Sequence, residues 1–159
     1  MKYYMYMDTP IGKLTLVANH HAITGVSFGE VPVAGTFQET KLLTQLKTEL
    51  LEYFSRKREV FDLPLEMEGT EFQKLVWNTL LKIPYGEIRT YGQIAQAIGQ
   101  PKASRAVGGA NHCNPLVILV PCHRVIGGNH KLVGYGGGVE KKQFLLGLET
   151  SLQEESFMI

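Results

Sequence analysis

The sequence predicts an α/β N-terminal domain, residues 1–66, followed by a mainly α C-terminal domain, residues 67–159. Three features indicate this order: short β-prone runs at the start, a helical repeat of leucines after them, and two helix-start motifs in the second half. A chain of 159 residues can form one domain or two small ones. Its composition, 44% hydrophobic and 19% charged, excludes a disordered or fibrous protein.

The N-terminal third is predicted to form strands and then a helix. The β-prone runs are residues 2–7, 13–18 and 23–28, and the turns between them are residues 9–12 and 19–21. Runs of this length separated by such turns predict an antiparallel meander. Residues 38–58 then repeat apolar side chains at a helical period, and the basic cluster 56–58 is predicted to close that helix, because cations suit a helix C-terminus.

Two capping boxes mark helix starts in the second half. In residues 70–73 and again in residues 90–93, a threonine and a glutamine three positions later can satisfy exposed backbone N–H groups reciprocally. The first helix is predicted to run to about Ile83. The second is short and has Gly99 as its C-cap.

A third helix is predicted to begin at Lys102 or Ser104 and to end before Gly108-Gly109. Two short helices joined by about four residues with glycine and proline match a helix-turn-helix, whose second helix would present Arg105 near its N-terminus. Such helix pairs also occur in proteins that never touch DNA, so the motif alone leaves both interpretations open.

The charge distribution adds to the DNA interpretation. Net charge is +1, but all 15 acidic residues lie outside the window from Ile88 to Val139. That window holds Arg89, Lys102, Arg105, Arg124 and Lys131, with three of the five histidines. A surface without anions suits the approach of a phosphate backbone. The alternative is a glycine-rich segment that happens to lack acids.

The chain carries no signal for a membrane or for secretion. No apolar run approaches the roughly 20 residues that span a bilayer, and the N-terminus lacks an apolar stretch with a cleavage site. We therefore expect a cytoplasmic protein. Its two cysteines, Cys113 and Cys122, are expected as thiols in that reducing compartment.

The chemical centre is predicted at Cys122. The apolar run 116–120 has the length of a strand, ends at Pro121 and would deliver Cys122-His123-Arg124 at its far end. A free thiol is only about 3% ionised at pH 7, so a reactive cysteine needs a base or a cation beside it. The imidazole and guanidinium that follow can supply either.

Other interpretations of this cysteine stay open at the level of spacing. Cys122 can be a buried small hydrophobic residue, which is the usual fate of an unpaired cysteine. His112-Cys113 and Cys122-His123 could form a metal site, although their spacing matches no familiar zinc pattern. A cysteine hydrolase also needs a cysteine and a histidine, usually from distant positions.

The motifs resemble one known family. The matching segments are Pro121-Cys122-His123-Arg124-Val125, residues 105–110, Asn114-Pro115, Trp77-Asn78, residues 83–86, Tyr91, residues 135–138 and Leu148-Glu149. Together they resemble the O6-methylguanine-DNA methyltransferases, densely over residues 70–149. Residues 8–12 resemble the start of that family less specifically.

The resemblance implies a function and a fold. The function is DNA repair by irreversible, single-turnover transfer of an alkyl group from O6-alkylguanine, and also from O4-alkylthymine, to Cys122. It implies no cofactor, no metal and a monomer that binds double-stranded DNA through the minor groove. The N-terminal sheet would be ribonuclease-H-like, and the C-terminal helix-turn-helix would be winged-helix-like.

The resemblance also implies roles for individual residues. Cys122 would be the acceptor, His123 would activate it through a water, Glu149 would orient His123, and Asn114 would order this network. The residues implied at the DNA and the flipped base are Tyr91, Arg105, Ala106, Gly109, Arg124, Val125, Tyr135 and Gly136. Flipping is required physically, because a sulfur cannot reach O6 inside a duplex.

A second hypothesis comes from a different class of protein. A non-enzymatic protein of this fold could recognise alkylated guanine and only flag it. Relatives of that kind lack the acceptor cysteine, so the presence of Cys122 favours the enzyme.

Overall fold

The computed structural model describes residues 1–128 and 138–150. The chain divides into two compact units. The first comprises residues 1–68 with residues 115–117, and the second comprises residues 69–114 and the chain from residue 118 onward. Among the described residues, no helix is both long and apolar enough to cross a membrane.

The first unit is a sheet with one helix. Its elements are β1 (Tyr3–Thr9), β2 (Gly12–Ala18), β3 (Ile23–Phe28), β4 (Thr36–Phe37) and α1 (Lys41–Phe54). The strand order is β3-β2-β1-β4. The first three strands pair antiparallel, which confirms the predicted meander, and β4 pairs parallel with β1. The sequence did not predict β4, because two residues are too few to show a pattern.

Helix α1 covers the sheet with its apolar side. Leu43, Leu46 and Leu50 are fully buried, as the helical period predicts. The predicted end of this helix was wrong, because α1 stops at Phe54 and the basic cluster follows it. Arg56 has a positive φ of 60°, which turns the chain, and Arg58 returns to pair with Glu52 at 2.8 Å.

The apolar run 116–120 is not a strand, so that prediction was wrong. Leu116 forms a single bridge to Val26, with Val117 N donating to the Val26 carbonyl. Ile118 then takes a positive φ of 74°, and the chain turns away from the sheet edge. The run is apolar because it is buried, which periodicity alone cannot distinguish from a buried strand.

The second unit is mainly helical, as predicted. Its elements are α2 (Glu71–Leu80), β5 (Arg89–Thr90), α3 (Tyr91–Ala97), α4 (Ser104–His112), β6 (Val125–Ile126) and α5 (Val139–Glu149), with a 3-10 turn at Cys122–Arg124. Both predicted capping boxes are confirmed, with Thr70 and Thr90 as N-caps. The C-cap of α3 is Ile98 and not Gly99 as predicted; Gly99, at a φ of 76°, is the next residue.

Two helix ends differ from the prediction. Helix α2 stops at Leu80, short of Ile83. Helix α4 continues through both glycines to His112, where the sequence predicted an end at Gly108. Packing overrides the low helix propensity of glycine here: Ala110 is buried, and its carbonyl accepts a 2.8 Å hydrogen bond from the Trp77 indole.

Two short parallel strands join distant parts of the second unit. Arg89 pairs with Val125 and Thr90 with Ile126. This pairing holds the segment that precedes α3 beside the segment that follows the 3-10 turn Cys122–Arg124. No pattern in the sequence predicts this pairing.

Candidate active site

Cys122 opens the 3-10 turn and is buried. Only 2% of the residue is exposed, whereas Cys113, the other thiol, is exposed. The Asn114 side-chain amide donates to Cys122 Sγ at 3.1 Å and to the Val120 carbonyl at 2.8 Å. The amide thus fixes the sulfur, and a hydrogen bond donated to sulfur favours its ionised form.

His123 and Arg124 meet at one carboxylate. His123 Nε2 lies 2.6 Å from Glu149 Oε2. Arg124 Nε and Nη2 bind the two oxygens of Glu149 at 2.7 and 3.0 Å, and Arg124 Nη1 donates to the Ile83 carbonyl at 2.7 Å. Glu149 is the last residue of α5, so α5 anchors the turn that carries the cysteine.

This cluster is closed to solvent and strongly charged. Burial alone would raise the pKa of Glu149, but the charge and hydrogen bonds of His123, together with those of Arg124, outweigh burial and hold that pKa well below its usual range. Glu149 is therefore a carboxylate at neutral pH. The other imidazole nitrogen, His123 Nδ1, is buried and has no hydrogen-bond partner within the described part of the chain.

A buried lysine lies on the same face of α5. Lys142 is fully buried and precedes Glu149 by seven residues, two helical turns. Its Nζ is 5.9 Å from the centroid of the Tyr91 ring. Burial lowers the pKa of Lys142 to about 8, and its electrostatic interaction with Cys122 opposes that shift. Because this interaction is mutual, the ammonium favours the Cys122 thiolate.

Tyr91 and Asn111 complete the surroundings of the sulfur. Burial raises the pKa of Tyr91, the interaction with Cys122 adds to the shift, and a side-chain hydrogen bond with Asn111 opposes it. Asn111 lies in the last turn of α4, is 2% exposed and donates from Nδ2 to the Cys122 carbonyl at 3.3 Å.

Helix α4 has one buried and one exposed face. Val107, Ala110 and Asn111 are buried, whereas Arg105, Ala106 and Gly109 are exposed. A β-carbon at Gly109 would meet no heavy atom within 4 Å, so this face is open at that position. The structure therefore brings the three implied DNA contacts of α4 together on one surface.

The structure corrects the expectation for Arg124. Its guanidinium is buried and bound to Glu149, so it is not available to a phosphate. Val125 is also buried, in β6. The acid-free window thus gives less surface charge than the sequence indicated, because one of its arginines lies in the interior. Tyr135 and Gly136 lie outside the described residues.

Sequence reasoning singled out the sulfur and its histidine but not Lys142 or the position of Asn111. A lysine inside an apolar stripe, three and four residues before Leu145 and Leu146, is the one signal that could have pointed to Lys142. Within residues 1–128 and 138–150, no three His, Cys, Asp or Glu side chains come together in a way that could hold a metal ion.

The arrangement can support nucleophilic chemistry at sulfur. A thiol that accepts an amide hydrogen bond, lies near a buried cation and is followed by a histidine-carboxylate pair has the features of an activated cysteine. The cysteine lies against the last turn of α4, where Asn111 donates to its carbonyl, and is in the same unit as the exposed face of that helix.

Comparison with known proteins gives a consistent result over both units. A family described as "6-O-methylguanine DNA methyltransferase, DNA binding domain" matches residues 71–151, and its "ribonuclease-like domain" matches residues 2–67. The methylated-DNA--protein-cysteine methyltransferase of Methanosarcina acetivorans is 49% identical, covering 94% of this chain and 99% of the relative. The constitutive protein of that name from Bacillus subtilis is 46% identical, covering 98% and 99%.

Solved structures agree with the sequence comparison. The crystal structure of Mycobacterium tuberculosis OGT in complex with DNA has a TM-score of 0.88 and 46% identity, covering 94% of this chain and 93% of that one. An O6-methylguanine DNA methyltransferase from Methanococcus jannaschii has a TM-score of 0.68 and 26% identity, covering 92% and 93%.

Proposed function

The chain belongs to the 6-O-methylguanine DNA methyltransferase family, and from that premise we propose that Cys122 is its alkyl acceptor. The protein is a methylated-DNA--protein-cysteine methyltransferase that repairs DNA by transferring the alkyl group of O6-alkylguanine to its own cysteine. One observation carries the assignment of the acceptor: the buried Cys122 sulfur accepts a hydrogen bond from the Asn114 amide at 3.1 Å.

The reaction is a displacement at carbon. The thiolate attacks the alkyl carbon in line, the bond from that carbon to O6 breaks, and guanine leaves with a proton supplied to its ring or oxygen. The product is a thioether, which has no good leaving group. Each protein molecule therefore reacts once and is consumed.

His123 is the base for the thiol in this proposal. Its Nε2 is engaged by Glu149 at 2.6 Å, so the buried Nδ1 is the nitrogen left to exchange a proton with Cys122 through a water. Glu149 stabilises the imidazolium that results, and Arg124 holds the carboxylate in place. The role of Arg124 is thus internal to the site.

Duplex DNA is the partner, and α4 is the element that we place against it. Its exposed face carries Arg105, Ala106 and Gly109, and the absence of bulk at Gly109 allows a close approach to a groove. Arg105 would fill the space of the extruded nucleotide, and Tyr91 would assist its rotation. We assign the minor groove to this helix and treat α3 and α4 as the helix-turn-helix of a winged-helix-like domain.

The remaining assignments concern the two domains, the base pocket, the oligomeric state and the cellular compartment. We treat residues 1–66 as a ribonuclease-H-like domain and residues 67–159 as the reactive domain. We also assign Tyr135 and Gly136 to the base pocket, and we expect a monomer that acts in the cytoplasm.

Alkyl transfer is tested most directly by mass. After incubation with a duplex containing O6-methylguanine, the intact protein should gain one methylene mass, and peptide mapping should place it on Cys122. A second portion of damaged DNA should produce no further gain. Unchanged mass with tight binding to the lesion would support the damage-sensing alternative, and repeated turnover would support a hydrolase.

Replacing Lys142 with methionine should affect reactivity and stability in opposite directions. The alkylation rate of Cys122 by iodoacetamide at pH 7 should fall, and its rise with pH should move to higher pH, because the cation that favours the thiolate is gone. The unfolding free energy at pH 7 should increase by about 1–3 kcal/mol, because a charged group no longer has to be buried.

The matched control is Lys141→Met, one residue earlier on α5. Lys142→Arg should restore part of the reactivity, since it keeps a cation near the sulfur. An unchanged pH profile in Lys142→Met would remove the lysine from the activation of Cys122.

A further inference from the structure

We infer that Trp77 is a positioning residue for the acceptor cysteine, because its indole N–H fixes the last turn of α4, and that turn holds Cys122. The inference rests on the proposed function, since it concerns the sulfur that receives the alkyl group. It gives the indole nitrogen a task that is separate from the burial of the ring.

The backbone alone closes the last turn of α4 weakly. The Cys113 N–H is shared between the Gly109 and Ala110 carbonyls at 3.2 Å each, and the N–H of the next residue reaches its acceptor at 3.4 Å. These distances lie at or beyond the long end of the usual range for N–H···O bonds. The bond from Trp77 Nε1 to the Ala110 carbonyl is shorter, at 2.8 Å, so the indole is the firmest attachment of this turn.

The indole itself is held in one place. Trp77 is 1% exposed and lies on the buried side of α2 with Val76 and Leu80. Gly69 closes over the ring, since a β-carbon there would lie 2.6 Å from it. The ring therefore has no room to turn, and its N–H is a fixed point against which the Ala110 carbonyl is set.

The turn that the indole holds carries two amides that contact Cys122. Asn111 Nδ2 donates to the Cys122 carbonyl at 3.3 Å, and Asn114 Nδ2 donates to Sγ at 3.1 Å. These asparagines follow Ala110 closely in the chain, so a shift of its carbonyl moves both amides. Because a hydrogen bond donated to sulfur favours the thiolate, loss of the indole N–H should lower the ionised fraction of Cys122.

The experiment removes the N–H and keeps the ring. Trp77 is the single tryptophan, so supplying 3-benzothienylalanine in place of tryptophan changes position 77 alone and puts a sulfur where the indole N–H stands. The rate of Cys122 alkylation by iodoacetamide is measured against pH, in a Cys113→Ser background that removes the exposed thiol. At pH 7 this rate should fall about three- to tenfold, the effect of one hydrogen bond, and the midpoint of the profile should move to higher pH. The rate at the alkaline plateau should not change, because there the thiol is ionised in both proteins.

The pH profile separates positioning from packing. The matched control is Val76→Ala, which changes the buried residue next to Trp77 on α2. It should lower the unfolding free energy, followed by circular dichroism, because it opens a cavity. It should leave the midpoint of the profile in place, since the indole bond remains. Likewise, 5-fluorotryptophan at position 77 keeps the N–H and should give the wild-type midpoint.

On DNA, the loss of the N–H should affect the transfer rate and not the affinity. At saturating protein and pH 7, the single-turnover rate on O6-methylguanine DNA should fall by the same factor as the iodoacetamide rate. The dissociation constant for that DNA should stay essentially the same, because Arg105 lies in the first turn of α4, at the other end of the helix from the indole bond.

The outcomes separate this inference from the proposed function. An unchanged midpoint with 3-benzothienylalanine overturns the inference, even if methyl transfer proceeds normally. A lower plateau rate at an unchanged midpoint overturns it as well, because that result shows a packing effect alone. Absence of methyl transfer in the wild type overturns the proposed function, while the iodoacetamide profile, which needs no DNA, still decides whether the indole N–H positions the sulfur.

Discussion

Replacing Cys122 with serine should abolish alkyl transfer completely. The surroundings of Sγ favour an anion through the Asn114 amide at 3.1 Å and the buried ammonium of Lys142. A serine hydroxyl remains protonated under the same influences, because its pKa lies far above that of a thiol, and it is a weak nucleophile without a strong base. The intact mass should therefore not change after prolonged incubation with O6-methylguanine DNA.

The control for this variant is Cys113→Ser, which changes the one other cysteine of the chain. Cys113 is exposed and follows the last turn of α4, so its replacement should leave the transferred mass unchanged. Affinity of Cys122→Ser for the lesion should persist, since the exposed face of α4 is untouched. Methyl transfer by Cys122→Ser would remove Cys122 from its proposed role.

Local sequence signals predicted much of the fold. The capping boxes at Thr70 and Thr90 are confirmed because a cap depends on residues three positions apart. The first three strands are confirmed because each contains enough residues to show a pattern. The prediction made helix α4 too short, because the contact between Ala110 and Trp77 outweighs the low helix propensity of its two glycines.

Long-range features could not be read from the sequence. The parallel pair β5 and β6 contains two residues in each strand, and residues 116–120 are apolar for burial in a turn. Both depend on where distant segments meet. Short apolar runs carry too little periodicity to distinguish these cases.

In the candidate site too, local features could be predicted from the sequence and long-range contacts could not. The cysteine and its histidine were found because they are adjacent and follow a proline. Arg124 was placed at the DNA by the family resemblance, and its position in the acid-free window agreed with that. Its partner Glu149 lies 25 residues later, outside that window, so the buried ion pair was invisible to an argument from local charge.

Replacing Glu149 with glutamine should destabilise the second unit by about 3–5 kcal/mol, the usual cost of removing one partner from a buried ion pair. Arg124 would keep its charge in a closed environment, with a neutral amide where two carboxylate oxygens now accept its hydrogen bonds. Urea unfolding followed by fluorescence measures this effect, because Trp77 is the single tryptophan and is buried in the same unit.

The pH dependence of the same transition gives an independent test. Because the folded pKa of Glu149 is depressed, its carboxylate contributes its full stabilisation above the unfolded value of about 4.3. As pH falls below that value, the unfolded chain binds the proton first, so this stabilisation declines until the folded pKa is passed. Glu149→Gln should flatten this acidic decline.

The double variant Arg124→Met with Glu149→Leu shows whether the unpaired charge is the cause. It removes both charges, leaves two apolar side chains of similar length, and should be less destabilised than Glu149→Gln alone. Alkyl transfer should nevertheless be slow in both variants, because neither retains the carboxylate that stabilises the His123 imidazolium. A double variant less stable than Glu149→Gln would show that geometry, more than charge, makes Glu149 necessary at this position.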